Sequence, residues 1–176
     1  MAVMFGKVNI VKILVKNGAD LNAEFMGMTA LHHAAYKKSA DYVKVLVSNG
    51  AQVNAQISDG RNALHLAAFS NRSENVKVLL LHGGDVNAKG LEGNTALHTA
   101  VQNGNMDVIK VLIENDADVS IKNENGQTPR ELALEIAEES NAKGYEYACI
   151  DAFLKIAEDK AKLLRNNKST DFFFHH

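Results

Sequence analysis

Apolar residues recur along this chain in blocks of helical spacing separated by polar turns, and the blocks keep step with one another. Four of them read Ile10-Val11-Lys12-Ile13-Leu14-Val15, Val43-Lys44-Val45-Leu46-Val47, Val76-Lys77-Val78-Leu79-Leu80-Leu81 and Val108-Ile109-Lys110-Val111-Leu112-Ile113. Residues three and four apart are apolar, which predicts a helix buried along one stripe. Each block ends in a turn phrase: Gly18-Ala19-Asp20-Leu21-Asn22, Gly50-Ala51-Gln52-Val53-Asn54, Gly83-Gly84-Asp85-Val86-Asn87 and Asp116-Ala117-Asp118-Val119-Ser120. A second phrase, Thr29-Ala30-Leu31-His32, returns as Asn62-Ala63-Leu64-His65 and Thr95-Ala96-Leu97-His98 every 33 positions, and Thr128-Pro129 falls on the same beat. Such a period predicts one helix-turn-helix unit used repeatedly, each copy burying its apolar face on the next.

The residue types at fixed positions explain the unit. Thr29, Asn62, Thr95 and Thr128 precede helical patterns and have the short side-chain oxygen that accepts from an orphan backbone N–H. Pro129, the only proline, sits in the first helical turn, where its missing N–H is harmless. Ala34-Ala35, Ala67-Ala68 and Ala100 predict close approach of neighbouring first helices, with Leu31, Leu64 and Leu97 filling between them. Gly27, Gly60, Gly93 and Gly126 mark tight turns of positive φ. Gly18, Gly50 and Gly83 mark left-handed helix exits, where Asp116 stands in the fourth copy. The first hairpin, Asn22 to Gly27, is one residue shorter than the others, and Lys38 and Asn71 replace the glycine kept at Gly6 and Gly104, predicting strain at both turns.

With these phrases in register, the chain resembles the ankyrin-repeat family, over roughly residues 6 to 134. The resemblance implies an all-α solenoid of stacked helix-turn-helix units with protruding β-hairpin loops. The expected division is a partial N-terminal repeat over 1–24, repeats over 25–56, 57–89 and 90–122, a capping repeat with an extended helix over 123–165, and a flexible tail over 166–176. Arg130-Glu131 replaces Leu-His in the last unit, as a closing outer face requires, and Tyr147, Ile150, Phe153, Leu154, Ala157, Ala161 and Leu164 give the extended helix its inner stripe. The array starts in mid-repeat, which favours a fragment or a parent with further repeats upstream. Phe172-Phe173-Phe174 is expected to fold back, to be disordered, or to dock on a partner.

Composition narrows the function. A length of 176 residues with 46% hydrophobic content supplies one elongated domain. A net charge of −2 argues against nucleic acid as partner, because phosphate binders carry a basic excess. The single Cys149 excludes an intrachain disulfide framework and suits a reducing compartment. Lys7, Asn9 and Lys12 interrupt the N-terminal apolar run, which reads as a second helix of a repeat instead of a signal peptide, and no run reaches the length of a membrane span. The reading is a cytoplasmic monomer without membrane insertion, or a module delivered into a host cytoplasm.

Chemistry is sparse. His32, His65 and His98 form a ladder at equivalent points of successive units and do not converge as metal ligands must; neighbouring His33 points elsewhere. No phosphate loop, Cys-x-x-Cys pair or nucleophile elbow occurs, so no cofactor, metal or catalytic activity is expected. The resemblance implies that the histidines bond hairpin backbone, and that Asn22, Asn54 and Asn87 bond within hairpins or serve an asparagine hydroxylase. It also implies a concave binding face of hairpin tips and first-helix ends. By register the tips are Phe25, Met26 and Met28; Ser58, Asp59 and Arg61; Leu91, Glu92 and Asn94; and Glu124, Asn125 and Gln127. The helix positions are Tyr36 and Lys37, Phe69 and Ser70, Gln102 and Asn103.

The face runs from apolar to polar, and Phe25 and the two methionines either line it or turn inward. The expected function is non-catalytic capture of a protein or peptide; the alternative is the targeting or regulatory portion of a larger enzyme, channel or secreted effector.

Overall fold

A computed structural model describes residues 2–139 and 144–171. Ten α-helices are found among them: α1 (Ala2–Phe5), α2 (Val8–Lys16), α3 (Ala30–Ala35), α4 (Asp41–Val47), α5 (Ala63–Phe69), α6 (Ser73–Leu81), α7 (Ala96–Gln102), α8 (Met106–Glu114), α9 (Pro129–Glu139) and α10 (Gly144–Asp171). Odd-numbered helices pack in one row, even-numbered helices α2 to α8 in another, and each odd helix packs on its even partner. The chain is an all-α repeat solenoid. Its core is one continuous strip of Ala, Val, Leu and Ile, among them Leu31, Leu64, Leu97, Leu46, Leu79 and Leu112, and it ends at Tyr147, Ile150 and Leu154 of α10. Ala34, Ala35, Ala67, Ala68 and Ala100 are fully enclosed, so the first helices meet where a larger side chain would separate them.

The helices begin as the cap residues dictate. Thr29, Asn62 and Thr95 hold extended backbone just ahead of α3, α5 and α7, and in each case the cap backbone N–H donates to Nδ1 of the histidine three residues on, at 3.2 to 3.3 Å. At α9 a carboxylate does this work: Thr128 N–H donates to Glu131 Oε2 at 2.7 Å, and Glu131 N–H donates back to Thr128 Oγ1 at 3.2 Å. This is a reciprocal capping box.

Loops follow the sequence with two corrections. The hairpins are tight turns closed by pairs of backbone bonds, not strand ladders; the β pairing found among the described residues consists of isolated bridges, Phe25 with Met28 and Gln56 with Asn62. Strain at the interhelical turn is found at Asn71 (φ 53) but not at Lys38, which stays out of the left-handed region. The turn after α3 has a different shape, because α3 stops at Ala35 with Tyr36 as its cap. In the shortened first hairpin Met26 and Gly27 both adopt positive φ, the geometry of a two-residue turn, whereas Gly60 closes a three-residue loop. Asp116 is left-handed at φ 62, as its alignment with Gly18, Gly50 and Gly83 requires.

Neighbouring units are also tied by polar bonds. Nε2 of His32, His65 and His98 donates to the carbonyls of Ala55, Asn94 and Gln127, each at 3.0 Å in the following hairpin. Oδ1 of Asn22, Asn54 and Asn87 accepts from the backbone N–H of Gln52, Asp85 and Asp118 in the following unit. The last carbonyls of α1, α3, α5 and α7 and of the turns after them, orphaned where a helix ends, find donors one unit further on. Lys37 reaches Met4 and Tyr42 reaches Gly6. Asn75 covers Ala35 and Lys37, Asn105 covers Ala68, and the Tyr147 hydroxyl donates to Gln102 at 3.0 Å.

Candidate functional site

The 33-residue step turns the inner side of the array into rows of equivalent positions. One row runs along the ends of the first helices: Tyr36, Phe69, Gln102 and Glu135. Another runs along the hairpin tips: Phe25, Ser58, Leu91 and Glu124. Scaffold positions repeat because the core demands it; these rows change from unit to unit because nothing in the core holds them.

Between two units the rows converge on a recess of about 220 Å³ lined by Arg61, His65, Phe69, Leu91, Glu92, Asn94, Thr99 and Gln102. Six of these are residues that register assigns to the face. Phe69 is 52% exposed and Leu91 45%, although neither is needed to hold a helix. Asp59 grips Arg61 with both carboxylate oxygens, at 2.7 to 3.1 Å. That hydrogen bond raises the guanidinium's pKa and holds the Asp59 carboxyl below the usual carboxylate value. The pair fixes the Arg61 stem as one wall of the recess.

Gln102 also lines an adjoining recess of about 420 Å³, with Asn125, Gln127, Leu132, Glu135, Ile136, Glu139 and Tyr147. The two share an edge. Sequence register reached Asn125 and Gln127 but stopped short of Glu135 and Glu139; carrying Tyr36, Phe69 and Gln102 one further step of 33 would have found Glu135.

The remaining candidates divide. Phe25 and Met28 line a third, apolar recess of about 230 Å³ beneath α2, with Val3, Val11 and Leu14, and the Phe25 ring lies 6.4 Å from that of His33. Met26 is turned outward, 80% exposed. Phe25 and Met28 thus face the recess beneath α2, whereas Met26 faces solvent. Lys37 is engaged with the Met4 carbonyl and Asn103 with the Thr99 carbonyl. Ser58 and Tyr36 are exposed, Ser70 half-buried, and the Glu124 N–H donates to the Glu92 carbonyl at 3.0 Å, joining adjacent tips.

The histidine ladder is structural in geometry. His32, His65 and His98 are buried, each with both ring nitrogens engaged, and burial lowers the pKa of all three. A ring with both nitrogens bonded to backbone has none left for substrate. Among the described residues no group of three or more His, Cys, Asp or Glu is placed to hold a metal ion, and no helix is long and apolar enough to cross a membrane.

A family model described as ankyrin repeats, three copies, matches residues 1–90 and again residues 64–159. No curated protein matches the chain.

Proposed function

The chain belongs to the ankyrin-repeat family, whose arrays are generally protein-protein interaction modules, and from that premise we propose that it is a non-catalytic module that takes a protein or peptide segment along the row of hairpin tips and first-helix ends. The observation that carries this reading is the recess at Arg61, Phe69 and Leu91: an aromatic and an aliphatic side chain stand exposed beside a pinned guanidinium, at positions the scaffold does not use. Exposed aromatics, arginine and aliphatic anchors in a concave setting are the composition of interface cores. The partner-binding set we propose keeps Arg61, Phe69, Leu91, Glu92, Asn94 and Gln102 at its centre.

Residue-specific crosslinking tests the reading. A benzophenone amino acid at position 102 should yield adducts from cell extract that the same group at exposed Lys77 on α6 does not. Equal yields at both positions, or adducts from Lys77 alone, would remove the assignment. Phe69→Ala with Tyr36→Ala should leave the thermal melt in place and weaken capture.

A further inference from the structure

Both rows that form the face end on a glutamate. Tyr36 and Phe69 give way to Gln102 and then Glu135; Leu91 gives way to Glu124. Beyond the shared edge at Gln102, Glu135 and Glu139 line the second recess, while Glu92 lines the first and meets Glu124 tip to tip. All four glutamates are exposed, and none has an ion-pair partner among the described residues.

Two of the nearby cations are ion-paired and a third is held by a backbone carbonyl. Arg61 is bound by Asp59, the Lys89 ammonium donates to the Lys122 carbonyl at 2.7 Å, and Lys122 lies 3.9 Å from Glu131. A recess that exposes Phe69 and Leu91 therefore runs directly into one lined by the carboxylates of Glu135 and Glu139, which have no ion-pair partner among the described residues, although the Gln127 amide donates to Glu135. Like-signed groups held along one wall repel each other, and an oppositely charged occupant relieves that repulsion.

Resting on the reading that this face binds protein, we propose that its occupant is a peptide segment with a bulky apolar residue at one end and a cluster of lysines or arginines at the other. The apolar residue enters beside Phe69 and Leu91. The basic end lies past Gln102, over Glu124, Glu135 and Glu139. The gradient thus fixes the direction in which the segment lies, because reversing it sets the cations against the aromatic side and the anchor against the carboxylates.

Selection of a random dodecapeptide display library on the full chain tests this. Retained peptides are expected to pair one Phe, Leu, Met or Trp with two or more Lys or Arg. They should lose about tenfold in affinity on a variant carrying E92Q, E124Q, E135Q and E139Q together, and lose strength in raised salt. They should lose binding to Phe69→Ser. All five changes are at exposed positions, and coincident thermal melts establish that each variant is folded. Peptides that need Phe69 but bind the four-glutamine variant undiminished would overturn the basic occupant while leaving the interaction face standing. Peptides indifferent to both variants, or a selection yielding none that depends on the face, would overturn both.

Discussion

The inner units and the closing unit start their first helices in the same way and diverge at the third helical residue. At α3, α5 and α7 a histidine caps its own helix through Nδ1 and reaches the next hairpin through Nε2. At α9 the same position holds Glu131, which caps Thr128 through its carboxylate and has no proton to donate to a following carbonyl. Its neighbour Arg130 pairs instead with Asp151 at 2.7 Å and Glu158 at 3.6 Å on α10. The cap is common to α3, α5, α7 and α9, while the forward bond is made at α3, α5 and α7. At α9 one side chain thus changes from a two-sided group to a one-sided one.

Acid separates the inner units from α9 most strongly, because it acts on three buried histidines at once. Burial lowers the pKa of His32, His65 and His98, so the unfolded chain binds protons more readily than the folded one. Their contribution is complete above the unfolded value, about 6.5, and is lost as pH falls below it toward the folded values. The Glu131 carboxyl is also lowered, chiefly by the Thr128 N–H, so its contribution is complete above about 4.5 and is lost only as pH falls below that. Melting temperature measured from pH 7.5 to 3.5 should therefore decline in two stages. A single decline confined to the carboxylate range would contradict the histidine assignment.

Next in size is His65→Leu, which leaves the Asn62 N–H and the Asn94 carbonyl without their partner and should cost about 2–3 kcal/mol by chemical denaturation. A loss under 0.5 kcal/mol would mean that the ladder bonds are dispensable. Thr128→Ala removes a cap without touching a forward bond, so a loss of about 1 kcal/mol is expected; a loss equal to that of His65→Leu would erase the distinction between inner and closing units. Smallest is Asp116→Gly. The left-handed backbone there favours glycine, and the gain should be about 0.5–1 kcal/mol, read as a raised melting temperature.

The parts of this architecture legible in sequence are those that one residue type performs at a fixed step. Caps at Thr29, Asn62, Thr95 and Thr128, the left-handed Asp116 and the shortened hairpin at Met26-Gly27 all belong to that class. The donors that close the first-helix ends do not. Lys37, Tyr42, Asn75, Asn105 and Tyr147 do the same job with three residue types at unmatched offsets; Asn75 lies within α6, whereas Asn105 stands just before α8. A carbonyl is indifferent to which donor reaches it, so no phrase recurs. Lys38 failed as a prediction because α3 ends a residue short of the helix-end position that Phe69 and Gln102 occupy in α5 and α7. At the proposed binding face the scaffold register located Phe69, Leu91 and Gln102, but only the fold shows that Phe25 and Met28 open onto a separate recess.

The donors for the ends of α3, α5 and α7 come from the unit that follows, and the ladder and hairpin asparagines bond to backbone of that same following unit. During synthesis a unit leaving the ribosome therefore meets its own requirements only when the next has emerged. At about 5–20 residues per second that delay is roughly 2–7 s per unit. Growth of the folded array trails growth of the chain by one repeat, and stalling between units would strand the newest one with open helix ends.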